Sequence, residues 1–423
     1  MHPSRREFLQ LVAGSALAFS LPQALRAETG STPRILLRSS WQTENIGDIA
    51  HTPGVIALLE KYLPDAEVIL WSSGRLPENI SALFSARFPK LKFATGYFNK
   101  GKPSTPELAQ AVEWTNFLLH GSGPSFVAKR DVGDFVAATG KPFGIYGITF
   151  GGAAPAEIEL LSRAKFVFFR DTVSLAKAKE VEVKCPIVEF GPDGAFAADV
   201  RDDASADAFL KKHNLETGKF LCCIPRFRYT PYWLIKSHIA KNEQRHARNM
   251  EMAEHDLRPL REAISTVART TDTKVLICPE DMTQVAIGKE HLYDKLDEDV
   301  KPRVVWRDRY WITSEAISTY VRSLGLFGLE MHSPIMCIGN GVPALVGRFD
   351  EQTSKGFMWR DIGLNDWLFD FDKPEEVARL TPTLLRFIHD RPAVLEQVKA
   401  AQKIVHGRQQ ATMEILRQQF ARS

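Results

Sequence analysis

Short apolar runs alternate with longer segments of helical periodicity along most of the chain. In the first half the predicted strands are Arg34–Ser39, Glu67–Trp71, Asn116–Leu119, Phe143–Thr149, Phe166–Phe169 and Ile187–Phe190. In the second half they are Phe220–Ile224, Lys274–Cys278, Arg303–Trp306, Leu326–Leu329 and Ala344–Val346. Apolar strands separated by helices are typical of parallel sheets covered on both faces. The pattern therefore predicts an α/β fold with two Rossmann-like domains facing a cleft.

A polar segment, Asp199–Lys219, separates the two series of strands. We therefore predict an N-terminal domain at residues 28–200, a linker at 201–218 and a C-terminal domain at 219–373. Residues 374–423 are predicted to form a helical tail that is broken near Pro392. The first predicted helix, Ile49–Tyr62, contains Pro53, which a helix tolerates best in its first turn.

The N-terminus has the pattern of an export signal. Ser4-Arg5-Arg6-Glu7-Phe8-Leu9 matches the twin-arginine motif, and an apolar run with small residues follows it. We predict that residues 1–27 are a signal peptide, read by the twin-arginine export machinery and removed near Ala27. The expected destination is the periplasm or cell envelope.

Charge and hydropathy exclude two classes of partner. The formal charge is +3, and loss of three arginines and one glutamate with residues 1–27 leaves +1. A nearly neutral mature chain gives no support for nucleic-acid binding. No apolar run is long enough to predict a permanent membrane span.

The cysteine count argues for buried thiols. The chain has five cysteines, an odd number that cannot all pair internally, and none forms a C-x-x-C motif. Most of them lie in or beside apolar strand patterns, so we interpret them as buried thiols. A single disulfide remains possible in an oxidising compartment.

Several predicted strands end in glycine or ionisable residues, where open α/β sheets bind their ligands. Gly121-Ser122-Gly123 follows one strand, and Asp193 follows another. Glycines after a strand let backbone N–H groups approach a phosphate, although each also fits a simple tight turn.

Two short motifs occupy corresponding places in the two halves. Asn45-Ile46-Gly47-Asp48 follows the first strand, and Glu330-Met331-His332 ends a strand of the second half, at the start of a short predicted helix. Asp48 also fits a helix N-cap, and His332 a surface residue capping a helix. His238, His246 and His255 are too scattered to predict a metal site, so no metal or cofactor is expected.

Arg226 and Arg228 lie just after the first strand of the second half, in Pro225-Arg226-Phe227-Arg228-Tyr229. The residues that follow mix histidine, arginine and aromatic side chains without a period, and we interpret them as a long loop over a site. The alternative for Arg226 is a surface salt bridge.

In their order and spacing these motifs resemble the polysaccharide pyruvyl transferase family. The matching pieces are Asn45-x-Gly47-Asp48, Gly121–Gly123, Phe169-Arg170-Asp171-x-x-Ser174, Asp193-x-Ala195-Phe196, Arg226, and Met331-His332 with Gly341-x-Pro343. The resemblance implies a fold similar to GT-B glycosyltransferases. It also implies transfer of a pyruvyl group from phosphoenolpyruvate to sugar hydroxyls.

On that resemblance we assign expected roles. His332 is the expected general acid or base, because an unperturbed histidine titrates near neutrality. The expected donor-binding residues are Arg226, Arg228, Glu330, Gly121, Ser122 and Gly123. Those expected to bind the carbohydrate acceptor, or to orient the donor, are Asn45, Gly47, Asp48 and Asp193.

Glu330 departs from the family pattern, which has arginine at this position. A carboxylate beside a multiply negative donor weakens its binding, and phosphoenolpyruvate is not expected outside the cytoplasm. Two alternatives therefore stay open: a non-catalytic glycan-binding protein, with Tyr229, Tyr232 and Trp233 available to stack on sugars, and a transferase that uses another small anionic donor.

Overall fold

The computed structural model describes residues 32–421, so the predicted signal peptide lies outside the described residues. Residues 32–421 form fifteen strands, and the seven of the first sheet are parallel in the order β3-β2-β1-β6-β7-β8-β9. The strands of the first half are β1 (Arg34–Arg38), β2 (Glu67–Ser72), β3 (Lys92–Thr95), β4 (Phe98–Asn99), β5 (Lys102–Pro103), β6 (Phe117–His120), β7 (Phe143–Ile148), β8 (Val167–Phe169) and β9 (Val188–Phe190). β4 and β5 form a small antiparallel hairpin.

The second half builds a separate parallel sheet of six strands, in the order β12-β11-β10-β13-β14-β15. These are β10 (Phe220–Ile224), β11 (Lys274–Ile277), β12 (Val304–Trp306), β13 (Gly325–Gly328), β14 (Ala344–Arg348) and β15 (Leu368–Asp370). In both sheets the chain starts at a central strand, β1 or β10. It first adds strands on one side of that strand and then on the other, so the strand order reverses there. That point of reversal is where such sheets bind ligands.

Helices connect successive strands and cover the sheets. They are α1 (Ile46–Tyr62), α2 (Glu78–Arg87), α3 (Pro106–Trp114), α4 (Lys129–Thr139), α5 (Pro155–Ser162), α6 (Thr172–Glu180), α7 (Asp203–Lys212), α8 (Glu243–Thr270), α9 (Gln284–Ile287), α10 (Thr313–Tyr320), α11 (His332–Gly339), α12 (Met358–Asp361), α13 (Pro374–Val377), α14 (Leu380–His389) and α15 (Arg391–Ala421). None of the helices in this part of the chain is both long and apolar enough to cross a membrane.

The last helix joins the two halves. Val394, Val398 and Val405 of α15 belong to the core of the second half, whereas Met413, Leu416 and Phe420 pack into the core of the first. The Phe420 ring lies 5.7 Å, centroid to centroid, from the Phe117 ring of β6. The tail therefore does cross back onto the first sheet.

Segment 201–218, expected to link the domains, contains α7. Its Phe209 and Leu210 join the hydrophobic core of the second half, and the backbone N–H of Asp202 donates to Ser314 O. The polar composition of this segment reflects the outer face of a short helix.

The helix after β1 begins earlier than its sequence pattern predicts. α1 starts at Ile46, with Asn45 as the N-cap, so that Pro53 lies inside the helix. The Asn45 side chain accepts the backbone N–H of Gly47 at 2.7 Å. Proline at position 53 removes one backbone donor from the helix, and the extensive burial of α1 between the two halves compensates for that loss.

The five cysteines are all buried and free, as the sequence predicted. Burial raises the pKa of the Cys223, Cys278 and Cys337 thiols. Protonated thiols without solvent access react slowly with oxidants.

Glycine at position 54 allows α1 to touch the loop after β9. A Cβ at Gly54 would lie 2.0 Å from Gly194 O, whereas nothing lies within 4 Å of one at Gly407 of α15. We expect Gly54→Ala to lower the midpoint of thermal unfolding by several degrees, because backbone must move apart. Gly407→Ala is the matched control and should stabilise α15 by up to about 1 kcal/mol. Equal midpoints for both variants, measured by circular dichroism, would refute this account of α1 packing.

Candidate active site

The N-terminus of α1 is attached directly to the second half of the chain. The backbone N–H of Ile46 donates to Glu280 O at 2.9 Å, and that of Met282 donates to Glu44 O at 3.0 Å. The Thr313 hydroxyl donates to Ile46 O at 2.7 Å. These bonds hold the carboxyl ends of β1 and β11 against each other, so both halves contribute side chains to one buried group.

His332 is the first residue of α11, and its ring contacts the carboxylate of Glu280. Its Nδ1 lies 3.1 Å from Glu280 Oε1, and the backbone N–H of Ser333 donates to Glu280 Oε2 at 2.6 Å. A Cβ at Gly47 would lie only 2.2 Å from His332 Cβ. Glycine at position 47 is therefore what allows α1 to pack directly on His332.

The first half contributes a second supported histidine, His51 of α1. Its Nδ1 lies 2.9 Å from Asp193 Oδ1 and 2.8 Å from Ser122 Oγ. Arg170 Nη1 donates to Asp193 Oδ2 at 2.6 Å, and all four side chains are buried. Burial alone raises the pKa of Asp193, but His51 and Arg170 outweigh it and hold that pKa well below its usual range. Asp193 is therefore an anion between two positive or donating groups.

The two histidines meet edge to face, with ring centroids 5.0 Å apart. Within residues 32–421, neither His51 Nε2 nor His332 Nε2 has a hydrogen-bond partner, and Arg170 Nη2 also lacks one. Buried polar atoms are rarely left unpaired in folded proteins. Three unpaired nitrogens from two halves of the chain therefore make this place the candidate binding site.

His332 is neutral in this arrangement. Burial lowers its pKa to about 3, and repulsion from Lys355, His51 and Arg170 contributes to the shift. Because the carboxylate of Glu280 accepts at Nδ1, the proton of the neutral ring is placed there. Nε2 then carries a lone pair, as a general base requires.

Glu330, the departure from the family pattern, faces Arg226. Arg226 Nη1 donates to Glu330 Oε2 at 2.7 Å, and Gln284 Nε2 donates to Oε1 at 2.7 Å. The Lys355 ammonium lies 3.9 Å from the same carboxylate. Arg226 is therefore neutralised, which leaves Lys355 and Arg170 as the cations nearest to His332.

Asp281 makes the charge of this group dependent on pH. Burial and repulsion from Glu330 raise the pKa of Asp281 to about 7, despite hydrogen bonds from Thr283 and the attraction of Arg226. Below pH 7 Asp281 is neutral and adds no charge to the group. Above pH 7 the group carries one more negative charge.

An anion should consequently bind more strongly in acid. For oxalate, which is fully ionised on both sides of neutrality, we expect affinity to rise about tenfold from pH 8 to pH 6, since one nearby charge disappears. Isothermal calorimetry measures this, with Asp281→Asn as the control in which the rise should vanish. Affinity that is flat or falls toward acid would contradict the assignment of Asp281.

The remaining predicted residues have mainly structural contacts. An added Cβ at Gly121 or Gly123 would lie 2.9 Å from Ser39 Oγ or 2.7 Å from Trp41 Nε1, so packing explains both glycines. Ser122 contacts His51, as described above.

Asp48 and Arg228 are occupied by other side chains. Asp48 accepts from Gln42, which also donates to the Tyr232 hydroxyl at 3.1 Å. The helix cap is Asn45, so Asp48 is free of that role. Arg228 is bound instead to three carboxylates: Asp256, Glu351 and Asp372. The structure therefore places Arg228 in an ion-pair network rather than beside His332.

Sequence reasoning missed four residues of this group: His51, Arg170, Glu280 and Lys355. Arg170 belongs to the motif Phe169-Arg170-Asp171-x-x-Ser174, which did not indicate a role for its side chain. His51 lies six residues after Asn45 inside a helix, and only the turn of that helix directs it to the second half. Glu280 follows β11, at the same edge as His332, and this position was the one available signal.

Two groups of the described side chains are close enough to hold a cation: His51, Asp193 and His332, and the exposed Asp350, Asp370 and Asp372. In the first group Asp193 already binds Arg170, and the unpaired Arg170 Nη2 can only donate. An unpaired donor favours an anion over a metal ion.

A separate cavity of about 550 Å³ lies in the first half, lined by Leu59, Phe88 and Trp114 among others. Glu67 and Lys92, at the starts of β2 and β3, also line it. It is therefore at the amino ends of the strands, opposite the histidines. Open α/β sheets bind their ligands at the other edge.

Residues 45–346 match the sequence model of the polysaccharide pyruvyl transferase family, and the chain belongs to this family. The family supports a transferase. No curated protein matches the chain.

Solved structures with similar folds are nucleotide-sugar enzymes of the GT-B type. A putative UDP-N-acetylglucosamine 2-epimerase from Listeria monocytogenes has a TM-score of 0.58 and 13% identity, over 93% of this chain and 98% of that one. MnaA of S. aureus in complex with UDP has a TM-score of 0.52 and 11% identity, over 87% of this chain and 91% of that one. UGT71G1 of Medicago truncatula, complexed with UDP-glucose, has 0.53 and 10%, over 92% and 98%. At such identities the likeness establishes the fold: two Rossmann-like domains facing a cleft.

Proposed function

We propose that the protein transfers a pyruvyl group from phosphoenolpyruvate to two hydroxyls of a sugar, forming a pyruvate ketal. The single observation that carries the proposal is His332, whose Nε2 is unpaired and buried between the two halves while Glu280 holds its Nδ1. Such a histidine is oriented to accept a proton from a hydroxyl. Family membership supplies the reaction class.

The donor is held by the cations nearest to the histidines. Phosphoenolpyruvate carries a phosphate and a carboxylate, which we assign to Arg170 Nη2, a donor without a partner, and to Lys355 Nζ, whose only carboxylate neighbour among the described ion pairs is Glu330 at 3.9 Å. Burial and repulsion from Arg226 lower the pKa of Lys355, and an anion beside it reverses that effect. Arg226 takes part only if Glu330 releases it.

The acceptor enters from the side of the loop at residues 229–242. Tyr232 and Lys236 of this loop contact Gln42, which lies against Asp48. Their hydroxyl, amide and carboxylate groups suit the hydroxyls of a sugar. Similar folds hold UDP or UDP-glucose in their complexes, which supports a carbohydrate acceptor and an anionic donor here.

The signal predicted at residues 1–27 would carry the enzyme to the periplasm or cell envelope through the twin-arginine machinery, so the reaction there requires phosphoenolpyruvate, or another small anionic donor, to be supplied to that compartment. The acceptor is then an envelope or exported polysaccharide. A folded enzyme reaches that compartment by this route, which agrees with a structure that has no disulfide among residues 32–421.

The test is turnover. Purified residues 28–423 are incubated with phosphoenolpyruvate and a panel of methyl hexopyranosides, and ketal methyl signals and released phosphate are followed by proton and phosphorus NMR. Calorimetry with phosphoenolpyruvate is run beside it on the natural protein and on Glu330→Gln. We expect tighter binding by the variant, because Arg226 is freed. Turnover supports the proposal, and its absence with every acceptor rejects it.

A non-catalytic glycan-binding protein is the second candidate. The pairing of Glu330 with Arg226 favours it, because the arginine next to the strand end is not free to hold a donor. It predicts binding on a glycan array without consumption of phosphoenolpyruvate. A transferase with a less anionic donor predicts turnover with another phosphorylated or nucleotide-linked compound.

A further inference from the structure

His51 is unexplained by any role given so far. It is completely buried, its Nδ1 is fixed by Asp193 and Ser122, and its unpaired Nε2 belongs to a ring 5.0 Å from that of His332. The two halves thus contribute matched units, Asp193–His51 and Glu280–His332. In each unit a carboxylate holds Nδ1 and leaves Nε2 free.

Addition of the first hydroxyl with simultaneous protonation of the donor needs two proton-transfer groups with opposite starting states. One hydroxyl must lose a proton as its oxygen bonds to C2 of the donor, while C3 must gain a proton to become a methyl group. A single histidine cannot accept and donate at the same moment. His332 is neutral and suited to accept, so a protonated partner is needed.

We propose, on the basis of the function proposed above, that His51 is a second catalytic residue and protonates C3 of the donor, with Asp193 as its positioning residue. The π electrons of C2=C3 form the new C3–H bond, and the first hydroxyl oxygen bonds to C2 while its proton passes to His332 Nε2. The C2–O bond to phosphate then breaks, and phosphate leaves with the electron pair.

The second step restores both histidines. The second hydroxyl bonds to C2 and gives its proton to His51, which is neutral after the first step. Protonated His332 gives its proton to the departing phosphate. The trianionic donor thereby becomes a ketal with one carboxylate and a hydrogen phosphate dianion, so protons and charge balance.

The surroundings of the two rings match these starting states. The Asp193 carboxylate lies 2.9 Å from His51 Nδ1, and the pKa of Asp193 is held low by His51 and Arg170 despite its burial, so a negative charge stands beside the ring of His51. The ring of His332 is farther from its carboxylate, at 3.1 Å, and has Lys355 and Arg170 near it. Because His51 is completely buried, the proposal requires the two halves of the chain to separate for the donor to enter, and their enclosure of His51 keeps water from the protonated carbon.

The experiment compares His51→Asn with the natural protein. Asparagine keeps an N–H donor near Asp193 and removes Nε2. Turnover of phosphoenolpyruvate with the best glycoside of the panel is measured as a function of pH, and deuterium entry into the ketal methyl is measured in heavy water. His120→Asn is the matched control, a second buried histidine of the same half whose Nε2 accepts the backbone N–H of Ala128 at 3.3 Å.

We expect His51→Asn to lose about 10²–10⁴-fold in kcat, with KM for phosphoenolpyruvate changed little. Because donation to C3 uses up a proton of His51, any fall in kcat that the natural protein shows at high pH should be absent from the residual activity of this variant. Asp193→Asn should also lower kcat, because the ring of His51 loses the carboxylate that holds its Nδ1 at 2.9 Å. His120→Asn should retain the full profile.

The two proposals fail in different ways. Turnover by the natural protein together with unchanged kcat and pH profile in His51→Asn overturns the role of His51 alone. A loss of activity in His51→Asn that keeps the natural pH profile also overturns it, since only structure was then disturbed. Absence of turnover by the natural protein rejects the proposed function and this assignment with it.

Discussion

Replacing His332 by asparagine is expected to reduce ketal formation by about 10²–10⁴-fold while leaving the fold intact. The asparagine amide can still donate to Glu280, which holds Nδ1 at 3.1 Å, whereas the unpaired Nε2 is lost. Because the lost group acts on the hydroxyl during reaction, kcat should fall and KM for the donor should stay nearly constant. Proton NMR of the ketal methyl measures the rate.

The control for this variant is His332→Gln, whose amide reaches the position of Nε2 but cannot accept and release a proton near neutrality. Both variants should be equally inactive if proton transfer is the role of His332. If the glutamine variant keeps most of the activity, Nε2 serves only as a hydrogen-bonding group. Thermal unfolding of both variants within a few degrees of the natural protein would show that the loss is chemical.

Removing Asp193 should cause the largest loss of stability. Asp193→Ala leaves Arg170 and His51 buried without their carboxylate, and breaking a buried ion pair costs about 3–5 kcal/mol. For a domain of this size the midpoint of thermal unfolding should fall by roughly 10 °C. Differential scanning calorimetry of the whole chain measures the change.

Asp299→Ala is the comparison for Asp193→Ala. Asp299 pairs with Arg269 on the surface, and exposed ion pairs contribute little to folding. We expect no measurable change in its unfolding midpoint. Equal midpoints for the two alanine variants would mean that Asp193 is not essential to the fold, and that Arg170 finds another partner.

Stability and activity are thus coupled at one place. The contacts of Asn45, Ile46 and Glu280 that join the lobes also enclose His51 and His332. With the polysaccharide acceptor proposed above, some of these contacts have to be released and formed again in each cycle. We therefore expect the two halves of the chain to separate at the few backbone hydrogen bonds between residues 44–46 and 280–282.

Much of the fold was determined by the sequence itself. Phe220–Ile224 is apolar at every position, so it can only be a strand buried on both faces, and it proved to be the first strand of the second sheet. The same reasoning predicted most strands of both parallel sheets but missed β3 and β15, each of which lies at an edge of its sheet. The sequence of each strand suffices here, because a strand that is buried on both faces is apolar at nearly every position.

Local pattern could not place residues whose role depends on another part of the chain. Arg226 and Arg228 look alike in sequence. In the structure Glu330 pairs with Arg226, whereas Asp256 and Glu351 pair with Arg228. The sequence predicted that Glu330 would weaken the binding of an anionic donor, because no local pattern showed that its carboxylate pairs with Arg226.

The pairing of His51 with His332 is the clearest case of what only the tertiary structure decided. They are separated by most of the chain, and their rings meet because Gly47 and Gly54 let α1 pack closely on both halves. The sequence determined two sheets and the edges at which ligands bind. The packing of α1 decided which side chains share that edge, because contact across a cleft depends on distances that no local pattern records.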